Sequence, residues 1–172
     1  GACHVAKAPA DGPIGLEIPV VQANHDAMTR ILAMALACNQ TRVFNMVFTD
    51  NFANVRKKGE TYTHHLLTHT EMIDPSRGYQ PMAFWFNQRC SEAFAVYLAT
   101  LASIREGAGT LLDNCLIFAA SETNYAKLHT IDSIPVWLAG KAAGRMKTGL
   151  HVVGGGDPIT RVGFTAMKIM GV

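Results

Sequence analysis

Charge is scarce in this sequence, and its positive residues are scattered. Lys, Arg, Asp and Glu make up 16% of 172 residues against 49% apolar ones, which excludes disorder driven by charge and low hydrophobicity. The only basic run is Arg56-Lys57-Lys58, too short to track a phosphate backbone, so no nucleic-acid partner is expected. Long hydrophobic runs are missing too. The longest, Ile31 to Cys38, falls far short of the roughly 20 residues of a membrane span. The first residues lack a basic patch followed by an apolar core, so no signal peptide is expected there. The chain starts at Gly1 without Met; a processed product, a trimmed chain and a fragment are all compatible with that.

Cysteine is sparse as well. Cys3, Cys38, Cys90 and Cys115 form no CxxC pair, which argues against a cysteine metal site, and are too few for a disulfide-dense scaffold. Cys38 and Cys90 fall on apolar helical faces and Cys115 in an apolar strand, so all three read as small buried hydrophobes. Compartment is not legible from them. Lys147-Thr148 lacks the glycines of a phosphate loop, and neither GxSxG nor HExxH occurs. Gly154-Gly155-Gly156-Asp157-Pro158 reads as a flexible turn before it reads as an anion cradle. Ala2-Cys3-His4 matches the tail of a c-type haem motif whose first cysteine would precede residue 1, a remote reading.

What the chain does contain is ordered. Residues 1–20 form a Pro/Gly-rich leader, and residues 21–172 read as a single α/β domain, part of a larger one. Ala27, Ile31, Met34 or Ala35 and Cys38 mark an amphipathic helix ending near Asn39. Residues 42–48, β-branched and aromatic, suit a strand. Residues 49–79 form a polar loop long enough to need a functional reason. Pro81 starts a long helix with apolar Phe86, Cys90, Ala93, Tyr97, Leu101 and Ile104, stopped by Glu106-Gly107-Ala108-Gly109. Residues 116–120 and 134–139 are apolar strands, the first apolar on both faces as in a parallel sheet. His151-Val152-Val153 suits a short strand, and Ile159 to Met170 a last helix. This order describes a layered α/β fold.

Histidine is the informative residue type. Three of the seven, His64, His65 and His69, fall within six positions, where composition alone would place about a quarter of one. Coiled into a helical turn, His65 and His69 would share a face, and neutral imidazole is the commonest metal ligand. Thr68 or Glu71 would then orient a ligating ring. The alternative is polar loop histidines bonded to backbone carbonyls. A second polar cluster, Ser121-Glu122-Thr123-Asn124 with His129 and Asp132, follows the strand 116–120, the place where open α/β sheets hold ligands. Parallel strands at 43–48 and 116–120 would bring both clusters to one edge.

His65-Leu66-Leu67-Thr68-His69-Thr70 resembles the HXXSHH signature of a family of exported bacterial proteins of unknown function. Further blocks agree in order: Ala35 to Val43, Glu106 to Asn114, Ile134 to Gly140, Lys147 to His151 and the closing Met170-Gly171-Val172. The resemblance covers about residues 22–172. Thr68 replaces the signature serine, Thr70 its last histidine, and Ile131 the second histidine of an HxHD-like element, so fewer ligands remain than in relatives. The resemblance implies the C-terminal portion of a layered α/β/α sheet, distantly alkaline-phosphatase- and sulfatase-like. It implies a divalent metal at His65, His69, Glu122 and His129, supported by Thr68, Asp132 and His64, and metal-dependent hydrolysis of a phosphate or sulfate ester. It also implies twin-arginine export, a periplasmic or cell-envelope location, and a protein partner or missing N-terminal half, with association to a membrane complex. The competing implication is a non-catalytic accessory subunit of a larger envelope complex.

Overall fold

The computed structural model describes Cys3 and residues 10–172; Ala2 and His4 of the haem-like tripeptide lie outside them. The chain divides into two compact units, residues 1–100 and 101–172. Helices and small antiparallel sheets together make a mixed α/β protein.

In the first unit, α1 (Ile18–Ala37) opens with Pro19 in its first turn, where a missing N–H leaves nothing unsatisfied. Its buried residues are Ile18, His25, Thr29 and Ala33. Of the expected apolar positions Ile31 is exposed, while Ala27, Met34, Ala35 and Cys38 are half-buried. Two polar residues can lie inside because residues 42–48 cover them: the Thr29 hydroxyl donates to the Met46 sulfur (3.9 Å), and His25 meets the Phe48 ring edge-on at 5.4 Å. That covering segment is not the expected strand. It alternates, with Phe44, Met46 and Phe48 half-buried and Val43 and Val47 exposed, but among the described residues it pairs with no strand.

The expected loop 49–79 is shorter than it reads, because α2 (His64–Thr70) lies inside it. Arg56 ties this region to α1: its N–H donates to Leu16 O and its carbonyl accepts from Ile18 N–H, both at 2.9 Å. Then α3 (Pro81–Ser103) follows, its buried Phe86, Ala93, Tyr97 and Leu101 matching the expected spacing. Ile18, Val55 and Phe86 form the core, flanked by Val21, Phe48, Leu67 and Trp85.

The second unit opens with a short hairpin, β1 (Arg105–Glu106) against β2 (Gly109–Thr110), turned at Gly107 with φ +59°. A capping box between Thr110 and Asp113 starts α4 (Leu111–Asn114). β3 (Ile117–Ala120) pairs antiparallel with β4 (Val136–Ala139). The expected parallel pairing of 43–48 with 116–120 is therefore not formed, since one segment is no strand and the other takes an antiparallel partner. A 3-10 turn (Ala142–Gly144) and α5 (Thr160–Met170) complete the unit. His151-Val152-Val153 forms no strand.

Two of the cysteine readings change. Cys38 is not a small buried hydrophobe: it caps α1 and forms a disulfide with Cys3. Cys115 caps α4 rather than lying in a strand. Cys90 does behave as a hydrophobe, half-buried in α3 with burial pushing its thiol up to about 11.

The Cys3–Cys38 bond closes a 35-residue separation, and loop-closure entropy assigns such a loop about 3–4 kcal/mol. Mild reduction or Cys38→Ser is expected to lower the melting temperature by that equivalent, read by circular dichroism with and without reductant. Gly140 gives a sharper test. It has φ +89°, and an added Cβ would stand 2.2 Å from the Cys115 carbonyl oxygen. Gly140→Ala is expected to cost about 3 kcal/mol or more. Gly144→Ala, with φ +87° and nothing within 4 Å, should cost about 1 kcal/mol. Equal losses in urea melts of the two variants would show that the close approach is immaterial.

Candidate functional site

The histidine cluster lies on α2. Thr63 caps this helix by accepting from Leu66 N–H at 3.2 Å. One turn apart, His65 and His69 share a face, their rings 4.8 Å between centroids and edge to face. The Phe52 ring lies 6.0 Å from His65. Both imidazoles are half-exposed, as ligands or proton carriers need to be.

His64 points elsewhere. Its ring stacks on Phe86 at 4.9 Å, nearly parallel. Burial, with a smaller contribution from neighbouring His65, lowers its pKa to about 4. It is therefore neutral at ordinary pH, and its Nδ1 is buried without a hydrogen-bond partner among the described residues. His64 serves packing rather than supporting a site.

The two residues expected to orient a ligating ring are committed to the backbone. Thr68 is buried, and its hydroxyl donates to His65 O at 2.7 Å. Glu71 accepts from Met82 N–H (2.8 Å) and Ala83 N–H (2.9 Å), one carboxylate oxygen each. It thus satisfies open donors at the start of α3 and places negative charge at the positive end of that helix. Gln80 works in the opposite sense. Its buried side-chain amide donates to Thr68 O (2.9 Å) and Glu71 O (2.8 Å), at the carbonyl end of α2. Sequence reasoning missed Gln80 altogether. Its one signal was position: a polar amide just before the Pro81 that starts α3.

The second polar cluster belongs to the second unit. Glu122 and Asp132 are exposed. His129 is exposed in the left-handed region (φ +52°), its N–H donating to Ala126 O at 3.2 Å. Asn124 N–H donates to Thr130 O (3.0 Å) and Tyr125 N–H to the Thr130 hydroxyl (3.1 Å), closing the loop on itself. Among the described residues, no group of three or more His, Cys, Asp or Glu stands close enough to hold a metal. His65 and His69 supply two imidazoles, one short of the three protein ligands a catalytic zinc takes. Cys3 has its sulfur in a disulfide, which removes it as a haem attachment point.

A shallow depression of about 560 Å³ in the second unit was not foreseen from sequence; Glu106, Asp113, Asn114 and Lys141 line it. Lys141 pairs with Asp113 at 2.8 Å, and Asn114 donates to Glu106 at 2.5 Å. The Lys141 ammonium, then the Thr110 N–H and hydroxyl, hold the Asp113 carboxyl down to about 2. These polar groups satisfy one another and brace α4.

The chain matches no protein-family model, no curated protein and no solved structure.

The neutral burial of His64 sets a pH dependence. Unfolded, it binds a proton below its ordinary 6.5; folded, only below about 4. Stability is therefore full above pH 6.5 and falls as pH drops through the window from 6.5 to 4, by about 3 kcal/mol at most. Urea melts across that window should show the loss. A His64→Phe variant should show a flatter profile; an identical profile would remove His64 as the cause.

Proposed function

We propose that this chain is a non-catalytic accessory subunit of a larger assembly in the cell envelope. In this reading it is the C-terminal portion of an HXXSHH-family protein descended from the layered α/β/α fold of the alkaline phosphatases and sulfatases. The family reading rests on the motif residues His65, Thr68 and His69 and on the agreement of the blocks around them. The envelope location is supported by the Cys3–Cys38 disulfide, since disulfides persist in oxidising compartments.

One observation carries the subunit reading. The eight residues of β3 and β4 are all apolar, yet the two strands expose Phe118 on one face and Trp137 on the other. The Phe118↔Leu138 and Ala119↔Trp137 pairs put those two aromatics on opposite faces. A lone two-stranded sheet is marginal in water, and a strand apolar on both faces belongs inside a wider, covered sheet. A protein partner that extends the sheet and covers both aromatics supplies what the hairpin needs. The commitment of Thr68 and Glu71 to backbone bonds agrees with a scaffold role.

The second reading is a degenerate hydrolase that retains a divalent metal. It is favoured by the 4.8 Å approach of His65 and His69 on one face of α2.

Affinity purification of the full chain from its native envelope fraction decides between them. The subunit reading expects a stoichiometric protein partner, lost on Trp137→Glu, and no ester turnover with added divalent metal. Recovery of the chain alone, with stoichiometric metal that His65→Ala removes, would overturn it in favour of the hydrolase.

A further inference from the structure

Residues 141–172 differ from the rest of the chain in charge. They hold five Lys or Arg and one Asp, a net +4, whereas residues 1–140 hold ten Lys or Arg and twelve Asp or Glu, a net −2. The single acid, Asp157, is paired with Arg161, and Lys141 is paired with Asp113. No carboxylate pairs with Arg145, Lys147 or Lys168 among the described residues. Three of the segment's five cations thus stand without a carboxylate partner among the described residues.

The same segment exposes most of its large apolar side chains. Leu150, Val152 and Val153 are 71%, 79% and 82% exposed. α5 has no buried residue. Phe164, Met167 and Met170, three positions apart, project along one side of it, each at least half exposed. Beside them run Arg161, Thr165 and Lys168, all exposed, and the Lys168 ammonium lies 4.5 Å over the Phe164 ring. An apolar stripe edged by cations is the pattern of a helix that lies in a membrane interface, apolar side chains in the acyl boundary and cations among headgroup phosphates.

We propose that residues 141–172 dock the protein onto an anionic lipid surface, with α5 lying in the plane of the interface. Charge complementarity selects this occupant: the cations require an anionic partner, and the exposed apolar side chains require one with an apolar interior. A lipid interface offers both without a shape match. Among the described residues no helix is long and apolar enough to cross a membrane, so the contact is peripheral. The proposal is independent of the subunit reading, which concerns the β3–β4 hairpin.

Sedimentation of the intact protein with vesicles tests it, comparing phosphatidylcholine alone with phosphatidylcholine containing about one-third phosphatidylglycerol. Binding at least about tenfold tighter to the anionic vesicles is expected, weakening as salt rises. Phe164→Glu with Met167→Glu should abolish binding; both side chains are exposed, so the melting temperature should not move. Arg145→Gln with Lys147→Gln should weaken binding to anionic vesicles alone. Equal binding to both vesicle types, no binding to either, or indifference to both double variants would overturn the proposal. So would a protein ligand that needs Phe164 and Met167 when no vesicle binds.

Discussion

Two helix ends that meet and satisfy each other hold the first unit in register. The carbonyls closing α2 and the N–H groups opening α3 are unsatisfied by helix geometry alone. Gln80 donates to the first set, and Glu71 accepts from the second. Each residue therefore serves the end of the helix that the other adjoins. With α2 fixed against the start of α3, His64 reaches the Phe86 ring. Phe86 in turn joins Ile18 and Val55 in the core. The same placement turns His65 and His69 outward as a half-exposed pair. The packing histidine and the half-exposed pair are thus consequences of one arrangement: neighbours on a helix point about 100° apart, while residues four apart share a face.

The second unit relies on a comparable device, built from charge and close approach. Asp113 caps α4 through Thr110 and takes the Lys141 ammonium, fastening the segment after β4 to the turn before β3. Gly140 lets that segment pass against the Cys115 carbonyl, where no side chain fits. These contacts order the hairpin but do not cover it. Phe118 and Trp137 stay open on its two faces, and α5 buries nothing completely. Apolar surface of this kind is retained where something else covers it. In the proposals above, a protein strand would cover the hairpin and anionic lipid the cationic end, because edge amides need hydrogen-bonding partners and unpaired cations need anions.

Elements were legible where their own sequence supplied the driving force. Pro81 and the three- and four-residue spacing from Phe86 to Leu101 define α3, because a long helix carries its periodicity within itself. Phe44, Met46 and Phe48 lie inward of Val43 and Val47. What failed was the inference from β-branched and aromatic content to strand, since a ladder requires a partner elsewhere in the chain and, among the described residues, none pairs there. α2 was hidden for a related reason. Seven residues are too few to nucleate a helix alone, and this one is held by Thr63 and Gln80.

The candidate site divides along the same line. By itself the sequence determined that three histidines crowd six positions, that a helical turn would pair His65 with His69, and that strands lie within residues 116–120 and 134–139, because composition and periodicity are local properties. Only the tertiary structure decided that His64 lies against Phe86, that Thr68 and Glu71 bond to backbone, that Cys38 joins Cys3, and that β3 runs antiparallel to β4. Each of those depends on which distant groups become neighbours. Burial and hydrogen-bond satisfaction are set by such neighbours, not by the residue that needs them.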